Sequence, residues 1–144
     1  MRLILMINLI LLFVQFSLSG QVDFDEVAIH FDTGYISPGF DSCDNNEDYV
    51  RVHSLINIRI KEINEIKEIE MKLFGEPLFD LQREVDVMTC HMVIDFVKNG
   101  RIVKTVAISQ LNEVRLNQNP FKYYSPSKSM LKFRDEYLSF FKKF

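Results

Sequence analysis

The chain has 144 residues, 47% of them hydrophobic and 26% charged, with 17 basic against 20 acidic side chains and a net charge of −3. That length suits one domain with a respectable core, and weak acidity without a basic cluster argues against nucleic acid or an anionic membrane as partner. Among five glycines and three histidines there is no phosphate loop, no GxSxG elbow and no CxxC, so no enzyme activity is expected, and neither a cofactor nor a metal.

The first residues read as a secretory signal peptide. Met1-Arg2 gives a positive start, Leu3 to Val14 is apolar except for Asn8, and Ser17-Leu18-Ser19 offers small residues for cleavage. The apolar run falls short of the roughly 20 residues of a membrane-spanning helix. Cleavage after Ser19 removes 19 of 144 residues and leaves 125, with 16 basic and 20 acidic side chains. The expected organisation is therefore a signal peptide over 1–19 and a single domain over 20–144. The expected location is the periplasm or the outside of the cell, with no stable membrane anchor after cleavage.

Asp23 to Asp32 alternates Val27, Ile29 and Phe31 with Glu26, Ala28 and His30, the pattern of a half-buried strand. Thr33 to Asp48 is a polar loop, and its stretch Asp41 to Asp48 carries Asp41, Asp44, Glu47 and Asp48. It lacks the alternating Asp/Asn ligands and central Gly of a calcium loop. Tyr49 to His53 reads as a second strand. Ile60, Ile63, Ile66, Ile69 and Leu73 then recur at helical spacing among Glu and Lys, which predicts a helix over 57–74 closed by Gly75 and Pro77.

Glu84 to Ser109 is the clearest element. Two β-rich runs flank Lys98-Asn99-Gly100-Arg101, and Asn-Gly predicts a two-residue type I′ hairpin. With Asn99 and Gly100 at the tip, Lys98 faces Arg101, Val97 faces Ile102, Asp95 faces Lys104 and Val93 faces Val106. Leu111 to Leu116 gives a further strand, Asn117 to Pro120 a turn, and Phe121 to Tyr124 a short return. Ser125 or Ser127 can cap a final helix, whose Met130, Phe133, Tyr137, Phe140, Phe141 and Phe144 form one broad aromatic face. These elements make an α+β domain: an antiparallel sheet of about four to six strands with two helices packed on one face.

Cys43 in the acidic loop and Cys90 in the first hairpin strand are an even pair. In an oxidising compartment a bridge between them would contribute about 4 kcal/mol; the other reading is one loop thiol and one buried thiol. Of the three histidines, His30 and His91 lie in predicted strands, where His30 shares its face with Ala28 and Asp32 and His91 with Thr89 and Val93; ordinary strand histidines are expected, not a metal site.

The segments VDVMTCHMVIDFVKNGRIVKTVAIS, VRLNQNPFKYY and LKFRDEYL resemble, in their order and hairpin pattern, small exported bacterial proteins of unknown function, some of which act as immunity proteins. The resemblance covers most of the chain after the signal segment, carries over no functional residue, and does not include the two cysteines. It implies a protein-binding module that occludes a partner sterically. On the residues themselves, Asp41, Asp44, Glu47 and Asp48 are the candidate contact, steering a basic partner. The alternatives are a small-ligand carrier with a cavity between sheet and helices, and a hydrolase whose site has no recognisable motif.

Overall fold

The computed structural model describes residues 24–31, 46–54, 56–81, 90–109, 111–119 and 122–141. Its elements are β1 (Glu26–Phe31), α1 (Asn46–His53), β2 (Ile56–Ile60), α2 (Ile63–Phe74), β3 (Phe79–Asp80), β4 (Cys90–Lys98), β5 (Arg101–Ser109), β6 (Val114–Leu116), β7 (Tyr123–Ser125) and α3 (Lys128–Phe141). The strands form one open antiparallel sheet in the order β2-β1-β4-β5-β6-β7-β3.

The β4–β5 hairpin turns at Asn99 and Gly100, whose φ values of 51° and 73° are those the Asn-Gly pair predicts. The expected register holds at Lys98–Arg101 and Val97–Ile102 and then shifts. Phe96 pairs with Lys104, Asp95 with Thr105 and Val93 with Ala107. The cause is a β-bulge: Val103 is the extra residue between Ile102 and Lys104. The slip separates Asp95 from Lys104. The ammonium of Lys104 lies instead over the Phe74 ring, 3.3 Å from its centroid. Burial lowers the Lys104 pKa, and Glu70 only partly opposes it.

One face of the sheet carries the main core. Val27, Ile29 and Phe31 of β1, Met92, Ile94 and Phe96 of β4, and Val106 and Ile108 of β5 meet Ile66, Ile69 and Leu73 of α2 and Met130 and Phe133 of α3. The helix side chains are all 5% exposed or less, so they fill the space between sheet and helices. Ser127 caps α3 by accepting the Met130 N–H at 3.1 Å.

Three expectations are corrected. The sheet has seven strands among the described residues, not four to six, because β2 and β3 add its two edges. The helix expected over 57–74 begins only at Ile63. Ile56, Ile58 and Ile60 alternate with Asn57 and Arg59 and pair with β1, and this period of two prevails over the Ile-rich run that follows. The strand expected at Tyr49–His53 is helical, and this third helix packs on the opposite face from α2 and α3. Glu47, Val50 and Arg51, at helical spacing, are the residues α1 turns inward. Two of the three are charged, so the inward stripe has no hydrophobic period to read. The acids Glu47 and Asp48 in its first turn and Arg51 and His53 in its last do complement the helix dipole.

Candidate functional site

On the α1 side of the sheet, Val50, Cys90, Val93 and Ala107 form a small apolar patch, and polar side chains surround it. A bulge between Cys90 and Met92 brings Cys90 to this face. The central group is the Asp95 carboxylate, 1% exposed. Arg51 grips it with two bonds, Nε to Oδ2 and Nη2 to Oδ1, both 2.7 Å. Thr105 donates its hydroxyl to Oδ1 at 2.7 Å. This is the fork geometry that makes arginine–carboxylate pairs strong. The hydrogen bond from Arg51 to Asp95 is the main reason the guanidinium holds its proton more firmly than usual. The same guanidinium reaches outward through Nη1 to Asp48 Oδ1 at 2.6 Å.

His30 completes the inner cluster. Its Nε2 lies 3.6 Å from Asp95 Oδ2, and its Nδ1 is buried without a hydrogen-bond partner among the described residues. Burial lowers its pKa; Asp95 pulls the other way, and Arg51 and Arg59 reinforce burial. The imidazole is therefore neutral at pH 7. A depressed folded-state value means that this stabilising contribution is complete above the unfolded value of about 6.5 and is lost as pH falls below it. Urea midpoints compared at pH 7.5 and pH 5 should fall in the parent and fall less in His30→Gln. Equal falls in both would show that His30 does not set this part of the pH response.

A second buried pair lies beside the first. Arg115 of β6 donates Nε to Glu47 Oε1 at 2.7 Å and Nη2 to Oε2, with 4% and 3% of the two side chains exposed. Glu47 is therefore not a surface contact, which corrects its assignment to the partner-binding acids. The helical turn that begins at Asn46 swings it under α1. Asp48, one residue later, is 69% exposed in its side chain and stands at the mouth of a cleft. Asp41, Asp44 and Cys43 lie outside the described residues, as does the signal segment, so the disulfide and most of the acidic stretch receive no structural account.

The cleft, about 420 Å³, runs between α1, β5 and the turn after β6. Asp48, Arg51, Ile102, Val103, Lys104, Thr105, Asn117 and Gln118 line it. Its floor carries two apolar side chains in solvent, Ile102 at 52% and Val103 at 47% exposure. Its far wall is a type I′ turn in which Asn117 and Gln118 both have positive φ, 51° and 56°, closed by the Asn119 N–H to Leu116 O at 3.0 Å. Asn tolerates that conformation; Gln pays roughly 1 kcal/mol. Asn117 uses its backbone N–H on Thr105 O at 2.9 Å and its side-chain Oδ1 on the Thr105 N–H at 3.0 Å, so one residue ends the β5–β6 ladder.

Of the residues singled out by sequence, the structure therefore brings Asp48 to a cleft and buries Glu47 and Cys90 beneath α1. The sequence does not mark Arg51, Asp95, Thr105, Arg115 or the exposed Ile102 and Val103 as site residues. Arg115 and Asp95 looked like ordinary strand polar residues, and only a bulge turns Val103 into the cleft. Among the described residues no group of three His, Cys, Asp or Glu is placed to hold a metal ion, and no helix is long and apolar enough to cross a membrane. The chain matches no protein-family model, no curated protein and no solved structure.

Proposed function

We propose that this is an exported protein-binding module of the immunity or inhibitor-like kind, which acts by covering a functional surface of its partner. The observation that carries the reading is the cleft. Solvent-exposed Ile102 and Val103 sit beside Asp48, and Asp48 is held in place through Arg51 by the buried Asp95. Exposed apolar side chains next to an ordered charge are what a specific interface offers: desolvation supplies affinity, and the charge sets orientation. Preorganisation matters as well, because Arg51 is already immobilised before any partner arrives and little side-chain freedom is lost on binding.

The test is affinity capture from an envelope or culture-supernatant extract on the immobilised protein. One stoichiometric protein should be retained, and salt should weaken its retention. Val103→Asp changes a half-exposed side chain, should keep the parent's circular dichroism spectrum, and should abolish retention. An empty resin, or a captured protein indifferent to Val103→Asp, would overturn the assignment of function to this cleft.

A further inference from the structure

The cleft is also a notch in the sheet. β6 pairs with β5 only at Val106, Ala107 and Ile108, and Asn117 closes the ladder at Thr105. β5 itself runs on to Arg101. Among the described residues no strand lies beside Arg101–Lys104 on the β6 side, because the chain turns away at Asn117-Gln118. The cleft is lined both by Ile102 to Thr105, which include the stretch of β5 that β6 leaves unpaired, and by Asn117 and Gln118, where β6 ends. An extended segment laid there would find a sheet edge to extend, which is the geometry of recognition by strand addition.

Charge selects the segment. Two carboxylates, Asp48 and Asp95, share the single guanidinium of Arg51, which leaves one net negative charge at the wall. Asp95 is buried and committed to Arg51 and Thr105. Asp48 is the exposed member. The other cation of the lining, Lys104, has its ammonium on the Phe74 ring of α2. We infer that the notch takes an extended segment of the partner as an added strand, with one Arg or Lys side chain directed at Asp48. The aliphatic stem of that side chain would lie along Ile102 and Val103. The inference rests on the protein-binding reading and names the chemistry of the partner's contact.

A displayed library of random heptapeptides, panned on the purified protein, tests it. The selected peptides should alternate in pattern and carry Arg or Lys at one fixed position. Binding of the best of them should fall at least about tenfold in Asp48→Asn, and as much when its Arg is replaced by citrulline, since each change removes a charge-assisted hydrogen bond. Amide shifts on binding should centre on Ile102–Thr105 and Asn117–Gln118. Asp48→Asn should keep the parent urea midpoint, because Arg51 retains Asp95 and Thr105. Selection of peptides without a basic residue, no selection at all, or binding unmoved by Asp48→Asn would overturn the inference. Capture of a partner that is sensitive to Val103→Asp would still stand in those cases, so failure here is distinct from failure of the module.

Discussion

Arg115→Met should lose about 3–5 kcal/mol of stability, while Glu47→Leu combined with Arg115→Met recovers most of the loss. The reasoning rests on burial. Both side chains of the pair are almost wholly inaccessible, at 4% and 3% exposure. Removing the guanidinium leaves a carboxylate with its two hydrogen bonds broken and no water to replace them. Removing both charges leaves an apolar contact of similar volume, which is often no less stable than the pair it replaces. Urea unfolding of the two single variants and the double variant closes the cycle. A loss below about 1 kcal/mol in Arg115→Met would place the pair among the surface pairs that contribute little.

Phe96→Ala is the second large effect, at about 3–5 kcal/mol. Phe96 is fully buried, with the Phe24 ring centroid 4.7 Å away and that of Phe74 5.9 Å away. Truncation would open a cavity where the sheet meets α2, between side chains that are themselves fixed by the core. Phe79→Ala is the matched control. It removes the same ring from a site 69% exposed, where a change within about 0.5 kcal/mol is expected. Thermal or urea unfolding reads both. Comparable losses would mean that the edge strand β3 is covered by something other than solvent.

These two variants probe opposite faces of the sheet, and the faces differed in how well they could be read in advance. The core face follows the sequence closely. Val27, Ile29 and Phe31 alternate, Asn99-Gly100 turns the hairpin, Ser127 caps the last helix, and Ile66, Ile69 and Leu73 keep helical spacing. Each is a local signal, legible within a few residues. The opposite face is held by pairs distant in the chain: Arg51 with Asp95, 44 residues apart, and Glu47 with Arg115, 68 apart. No local period announces such pairs. A helix whose inward side chains are Glu, Val and Arg therefore looks like the end of a polar loop followed by a short strand. The site was hidden for the same reason. Asp48 was visible as an acid, but its neighbours in the cleft come from β5 and from the turn after β6. The bulge at Val103 that aligns Thr105 with Asp95 leaves no mark in the composition.

The place of β1 has a consequence for how the chain acquires its structure. Among the described residues it is the first strand in sequence, yet it lies inside the sheet with β2 on one side and β4 on the other. Ile29 pairs with Ile94, 65 residues later, so the closure that buries Val27, Ile29 and Phe31 is entropically slow and non-local. The β4–β5 hairpin, by contrast, is a local unit that can form by itself on a microsecond scale. Folding should therefore start in the middle of the chain and reach back for β1, which during synthesis can pair with β2 on one edge but keeps its other edge open until β4 has been made. For a chain proposed to leave the cytoplasm through a narrow channel, that order is an advantage. On that proposal β1 would cross before β4, the strand that completes its pairing, had followed it.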